Sequence, residues 1–472
     1  MTQDQEKELL KAIYDRMFDA ITYQPSTGTN PFKETETFIH FSKNAAVDVK
    51  SFANPRTPSN PLGDLKSSEE FSRMVDQISP MSLEWSNSSN PLSKNYEDIV
   101  LSANASTTPD PKQTEMYDKA YNYLHPLKNE KNPFTGEEVT ARTDGDDYVL
   151  YESNLNDYVA SVIAYRSAYN LYLDDLESKD SSVQASADRN WQTKAPLLEN
   201  NIKASYRKLT AGNAKYVEQA LAILNTTIND GIRQTIVRAR EAVGEDNKFS
   251  SSLGFSDKWL FSYSSPANWT EEGNLNFTEL KISGGNTKTR SQATEHSFSV
   301  STDVNYGLWK VKASAEGSFS HSTSSADKDT VEISAKIAKV NILRPWFSES
   351  LFRLGSWSTN MLKSGEISNG KIDSTNASNY IPMYPVAFIV AKDISIKAAF
   401  SHEEEEHIKE SMKTSASVGW GPISVSGSYG YGHSEDKFDS NFQNGEITVP
   451  GMQIIGWVSK VIPFSPKENS SQ

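Results

Sequence analysis

The sequence contains no cysteine. Disulfide bonds, thiolate nucleophiles and cysteine-ligated metals are thereby excluded. Nor is there an apolar run near the ~18 residues that a membrane-spanning helix requires. Positive charge is scarce: 47 Lys and Arg stand against 61 Asp and Glu, a net charge of -14. No nucleic-acid partner is expected from this balance, because such binding rests on cations that neutralise phosphates. Apolar residues form 36% of the 472 residues and the mean hydropathy is -0.58, so solvated sheet faces or elongated parts are expected. Met1 to Leu10 are acidic and lack a basic segment followed by an apolar one. No Sec signal is expected from them. The expectation is a protein made soluble in the cytoplasm that, if released, leaves by a non-Sec route.

Chemistry-bearing motifs are equally scarce. The run His402-Glu403-Glu404-Glu405-Glu406-His407 fails both zincin spacings and is expected to be a solvated acidic loop or strand end. Asp144-Gly145-Asp146-Asp147 matches only part of a calcium loop, without the spaced ligands and terminal Glu. The glycine pairs lack a phosphate-loop lysine, and no G-x-S-x-G elbow occurs. The chain is therefore expected to be non-enzymatic, with no catalytic residue, metal or cofactor.

What is present falls into three stretches. Residues 1–110 open with an amphipathic helix (Leu9, Leu10, Ile13, Met17, Phe18, Ile21) and continue as an irregular, Asn-Pro-punctuated region with short helices, expected to pack on a bundle. Residues 111–250 read as long antiparallel helices. Leu155, Tyr158, Val162, Tyr165, Tyr169, Tyr172 and Leu176 form a tyrosine-rich seam at three- and four-residue steps. A second long helix is expected from Pro196 to about Val243, ~70 Å if unbroken. After Asp246, Ser, Thr, Gly and aromatic residues take over and strict alternation sets in, so residues 251–472 are expected to form a β-rich domain.

Within that domain one unit occurs twice. His296 to His321 alternates apolar or small residues with Ser, Thr and Lys, with a turn expected at Tyr306-Gly307-Leu308-Trp309. Ser415 to His433 repeats the pattern. With Gly307 on Gly419, Val311 falls on Ile423, Ala313 on Val425, Phe319 on Tyr431 and His321 on His433. Each hairpin leads past a polar spacer into a long apolar strand, Val331 to Phe347 and Ile447 to Pro466. In the first of these the alternation shifts between Ile337 and Val340, as a bulge would shift it. The fold class expected is α+β: an N-terminal long-helix bundle followed by a sandwich-like β-rich domain built on a duplicated hairpin.

Arg344-Pro345-Trp346-Phe347, Met383 to Lys392, Val418 to Pro422 with Ser424 to Tyr429, and Pro450 to Pro466 resemble a widespread family of uncharacterised microbial proteins. That resemblance covers the C-terminal half well and the helical half loosely, and implies no activity. A broader similarity is to pore-forming toxins, which pair helices with β-rich regions and, in some cases, insert Ser/Thr-rich alternating hairpins. It implies membrane binding and perforation after self-association. A lipid-facing strand needs apolar groups on alternate positions. The residues expected to touch membrane or partner are Phe298, Val300, Trp309, Val311, Phe319, Trp420, Ile423, Tyr429 and Tyr431. Membrane lipid, a surface glycan and a second copy of the chain are the partners weighed. The alternatives are a structural or interaction protein (an assembly component or secretion-system cargo) and a glycan-binding module.

Overall fold

The computed structural model describes all residues except 27, 44, 59, 106–110, 132–137, 227–229, 272, 301–307, 313–318, 323, 325, 356, 414–416, 433–437, 439 and 468–472. Helix α1 (Gln3–Thr22) precedes strand β1 (Thr37–Phe41), helices α2 (Leu65–Val75) and α3 (Leu92–Ser102), and the short β2 (Ala103–Ala105). Helix α4 (Pro111–Leu124) and the hairpin β3 (Leu127–Lys131) and β4 (Glu138–Arg142) lead into α5 (Asp146–Leu176), α6 (Ser181–Leu209), α7 (Ala214–Thr226) and α8 (Asp230–Ala242). The remainder is mostly strand: β5 (Lys248–Phe249), β6 (Trp259–Leu260), β7 (Tyr263–Ser265) and β8 (Thr278–Ser283), then α9 (Gln292–Val300), β9 (Trp309–Lys312), β10 (Phe319–Ser322) and β11 (Glu332–Leu343). There follow α10 (Glu349–Arg353), β12 (Trp357–Thr359), β13 (Met383–Lys397), α11 (His402–Lys413), β14 (Val418–Trp420), β15 (Ile423–Ser426), β16 (Asn441–Gln443), β17 (Glu446–Val449) and β18 (Gln453–Val461). The chain is thus α+β, with helices before Ala242 and a β-rich part after it.

The tyrosine seam lies where its spacing puts it, along α5 against the antiparallel α6. Trp191 of α6 closes it, with its ring 5.7, 5.2 and 5.1 Å from those of Tyr165, Tyr169 and Tyr172, while Tyr158 meets Tyr206 at 5.6 Å. The single rod expected beyond Pro196 does not form. Helix α6 begins at Ser181, capped by the Asp180 carboxylate, and Pro196 lies inside it on an exposed stretch where solvent reaches the unpaired carbonyl. The run stops at Leu209, and Gly212 follows at φ +60°, a left-handed conformation that terminates helices and suits glycine. Helix resumes at Ala214 as α7, and α7 and α8 lie on either side of 227–229, which are outside the described residues.

The large sheet is antiparallel, with strand order β1-β18-β13-β11-β7; β8 also pairs with β11, β17 with β13 and β16 with β17. The N-terminal region, expected on the bundle, supplies edge strand β1, paired from Thr37↔Lys460 to Phe41↔Gly456. Strand β11 explains the shift in its alternation without a bulge at Ile337–Val340. Ile333, Ala335 and Ile337 enter a core shared with α1, while Ala338, Val340 and Ile342 enter another on the opposite face. The apolar side changes because different layers cover the two ends of one strand. An irregularity against β13 does occur, earlier, between Ser334 and Lys336. The second core is aromatic: Trp85 stacks on Trp457 at 4.5 Å, and Phe388 sits 5.5 Å from Trp457 and 5.0 Å from Trp269.

Bundle and sheet meet at a cluster of ionisable groups. Asp144 accepts from His125 Nδ1 at 2.8 Å and from the Tyr263 hydroxyl. Asp146 pairs with Lys128 at 2.7 Å, and Asp147 accepts from Tyr123 and Asn213. The three carboxylates that resembled part of a calcium loop are therefore turned to separate partners. Burial, then the nearby Asp144 charge, pushes Glu152 up to about 7 against a hydrogen bond from Tyr148. A carboxyl with a raised folded pKa stabilises the fold below its unfolded pKa and loses that contribution as pH rises through the folded value. Glu152 should therefore withdraw on the order of 3 kcal/mol between about pH 4.5 and 7. Thermal melts should show Glu152→Gln more stable than the parent at pH 8 and near parity at pH 5; equal pH slopes in both proteins would contradict this.

Candidate functional site

Two stretches leave the large sheet and return to it from the same row of residues. Ser283 at the end of β8 pairs with Glu332 at the start of β11, Glu332 pairs with Lys397 at the end of β13, and Lys397 pairs with Glu446 at the start of β17. Residues 284–331 and 398–445 are therefore insertions between neighbouring antiparallel strands, equal in length and rooted side by side. They contain the two alternating stretches singled out in the sequence. Each begins with a helix, α9 or α11, and continues into a strand pair. The strand pairs meet: β10-β9-β14-β15 is one four-stranded sheet, and β9 pairs with β14 through Trp309↔Trp420, Lys310↔Gly419 and Val311↔Val418. This sheet shares a core with the large one.

The first hairpin differs from expectation. His296, Phe298 and Val300 belong to α9 and not to a strand, and Trp309 opens a strand where a turn was expected. Val304, Tyr306 and Gly307 lie outside the described residues, as does His433 of the paired histidines. The helix is fixed from outside itself. Asp15 of α1 accepts the backbone N–H groups of Ser291 (2.8 Å) and Arg290 (3.1 Å), just ahead of α9, and the Thr294 hydroxyl (3.1 Å) within it, which fixes how the chain enters the helix. The second hairpin turns at Gly421-Pro422, with Trp420 opposite Ile423. His402 to His407 is helix α11 and not a loop. Its acidic first turn is favourable beside the open N–H groups, and the Ser401 hydroxyl accepts from Glu404 N–H.

Helix α1 lies across both insertions. Lys11 pairs with Glu295 (2.6 Å) and Glu8 with Lys328 (2.8 Å), Tyr14 donates to the Ser297 hydroxyl (3.0 Å), and Glu6 accepts the Ser324 N–H (2.7 Å). Gly421 sits at φ +56° in the second turn, and a side chain there would meet Leu10 at 3.3 Å. Helix α1 is in turn tied to the bundle through Arg16–Asp174 (2.8 Å) and Arg166–Asp19 (2.5 Å). It is consequently not the one-sided amphipathic helix its apolar spacing suggests, because Glu6, Asp15 and Arg16 are buried as well. Burial pushes the Asp15 carboxyl up, opposed by the Ser291 and Arg290 N–H groups and the Arg16 charge. Sequence reasoning missed these residues. The one available signal was an acidic and a basic residue, Asp15-Arg16, in the middle of an apolar turn.

The residues expected to touch a membrane or partner are largely packed away in this state. Phe298 is buried edge-on against Tyr14 at 5.6 Å, and Trp309, Trp420 and Ile423 are buried. The Trp309 indole donates to Glu404 of α11 at 2.5 Å, so the two insertions also bind each other through side chains. Tyr429 is half-buried beside Phe438. Tyr431, also half-buried, accepts from Trp457 Nε1 at 2.9 Å and shares a hydrogen bond with Ser42. The side chains of Val300, Val311 and Phe319 lie outside the described residues, while their backbones belong to α9, β9 and β10. Among the described residues no helix is long and apolar enough to cross a membrane. Comparison with protein-family models, with curated proteins and with solved structures returns no match.

Replacing Asp15 removes an acceptor shared by α9 and Arg16, and deleting one partner of a buried pair costs about 3–5 kcal/mol. Asp15→Ala should raise hydrogen exchange of the α9 amides while those of β11 and β13 stay protected. Unchanged exchange in α9 would show that Asp15 does not hold it.

Proposed function

We propose that the protein is non-enzymatic, self-associates on membranes and perforates them by refolding its two insertions into amphipathic hairpins. The observation that carries this reading is the common row of roots. Straightened past Ser283, Glu332, Lys397 and Glu446, the insertions would continue four adjacent strands of the large sheet with the β8, β11, β13 and β17 pairings kept; the short β16–β17 ladder, whose Asn441–Gln443 belong to the second insertion, would open. Each would give about 24 residues per arm, ~80 Å of strand at 3.3 Å per residue, where a membrane-crossing strand needs ~9–11 residues. Residue types are distributed to match. Lys288, Arg290, Asp327, Lys328 and the Glu403–Glu406 run lie near the roots; the alternating Phe298–Phe319 and Val418–Tyr431 stretches lie in the middle. Apolar groups on alternate positions would face lipid and the intervening Ser and Thr a lumen. On this reading the buried Phe298, Trp309 and Trp420 are stored groups, covered by α1 until they are needed.

The reading is tested by dye release from liposomes, with particle size measured before and after lipid is added. Leakage with a lipid-dependent oligomer is expected. A crosslink within the first insertion supplies the control. Val311 and Ser320 are directly opposed on β9 and β10, and opposed strand positions lie within disulfide reach. In a straightened arm they would lie nine residues apart on one strand, ~30 Å, beyond that reach. The chain has no native thiol to interfere. The oxidised Val311→Cys/Ser320→Cys protein should release no dye, and reduction should restore release. Leakage with the disulfide intact would overturn the refolding, and absence of leakage from the reduced protein would overturn perforation itself. Ordered self-assembly without lipid would favour a structural role.

A further inference from the structure

On the α5 side of the large sheet the apolar run Ile333, Ala335, Ile337 gives way to Lys339 and Asn341. These two residues form the floor of a cleft of about 120 Å³ between β11 and α5, with Asn156 and Asp157 on the helix and Ser265 and Asn276 at the far side. One water needs only ~15 Å³ of such space. The Lys339 ammonium has three N–H groups. One donates to Asn341 Oδ1 at 2.5 Å, and the ring of Phe32 lies 4.5 Å away. No carboxylate among the described residues pairs with it: Asp157, the other charged residue on the cleft wall, is exposed. Asn341 donates to Asn156, and Asn156 to Ser265 at 2.5 Å, so the floor and wall are joined by one chain of amides and a hydroxyl.

A half-buried ammonium that faces no carboxylate is costly. In this chain the cost falls on Lys339 itself, whose burial pulls it down to about 7. Asn341, Asn156, Asn276 and Ser265 of the cleft can hydrogen-bond, Ile163, Leu275 and Phe32 give it apolar walls, and no carboxylate among the described residues pairs with the charge. Amide side chains both donate and accept, as hydroxyl groups require. We propose that this cleft is a receptor for a small hydroxylated oxyanion of the sugar-acid or sugar-sulfate class, with the Lys339 ammonium as its charge anchor. The oxyanion meets the ammonium and the hydroxyl groups meet Asn156, Asn276 and Ser265. Because the ligand joins α5 to β11, its binding stiffens the joint between bundle and sheet. The site does not depend on the perforating activity.

Two probes test it by calorimetric titration of the full chain at constant ionic strength: sulfate, which does not titrate near neutrality, and glucuronate. Saturable binding of both is expected, with glucuronate the tighter. Binding should take up a proton and weaken by about tenfold or more from about pH 6 to 8.5, as Lys339 loses its charge. Lys339→Met keeps the length of the side chain and removes the charge. It should fold, with a melting temperature at pH 8 no lower than the parent's, and lose binding by at least about tenfold. Three results would overturn the proposal: no saturable binding of either probe to the folded parent, binding undiminished in Lys339→Met, or affinity independent of pH. Equal affinity for the two probes would overturn the contacts assigned to the hydroxyl groups.

Discussion

Strands β11 and β13 pair antiparallel from Glu332↔Lys397 to Asn341↔Ala387, and the cores on both faces of the large sheet are laid against that pair. On one face Ile333, Ile337, Ile389 and Ile394 pack with α1 and the small sheet; on the other Val340, Phe388 and Val390 pack with Trp269 and Trp457. Complete burial of such side chains is worth roughly 1.5–3 kcal/mol each, so the pair is held from both faces. It also fixes where the insertions begin. Both leave from strand ends held in one register, and a slip of either strand would move a root and turn every side chain to the opposite face.

Architecture was far more legible in the sequence than the site. Periodicity located the tyrosine seam and the β-rich C-terminal part, because each follows from local spacing. It failed where tertiary contacts overrode local pattern. His296 to Val300 alternates like a strand, yet lies in a helix whose entry is held by Asp15, nearly three hundred positions away in sequence, through the Arg290 and Ser291 N–H groups and the Thr294 hydroxyl. The acidic run at Glu403 reads as a loop by composition, but its charges suit the start of a helix. The shift near Val340 looked like a bulge because burial was assumed on one face. The roots of the insertions were invisible for a different reason: they are set by long-range register, which no single window of sequence contains.

The contacts that hold the insertions are of two kinds. Apolar burial, which is non-directional, joins Leu10, Ile13 and Tyr14 of α1 to Phe298, Trp309 and Trp420 in the core shared with the large sheet. Helix α1 adds ion pairs and hydrogen bonds, among them Lys11–Glu295, Tyr14–Ser297 and Glu6–Ser324. Partly exposed ion pairs such as Lys11–Glu295 contribute little net stability. They are nevertheless specific, since removing one partner leaves the other uncompensated. Under the proposed refolding, such an arrangement would define the starting state and let α1 and the insertions move while β11 and β13 stay paired.

The equal length of the two insertions limits how the sequence can vary. Side chains on a strand alternate with a period of two. A single-residue deletion within either alternating stretch would put Ser and Thr where Phe, Val and Trp had been, beyond the deletion point. A pair of residues lost from one insertion alone would preserve the alternation but leave its hairpin shorter than its neighbour. Under the proposed refolding, insertions and deletions in 284–331 and 398–445 are tolerated only in even steps matched between the two segments. Substitution of one small polar residue for another carries no such restriction. Drift in composition with rigid conservation of length is the pattern that natural variants of this chain should record.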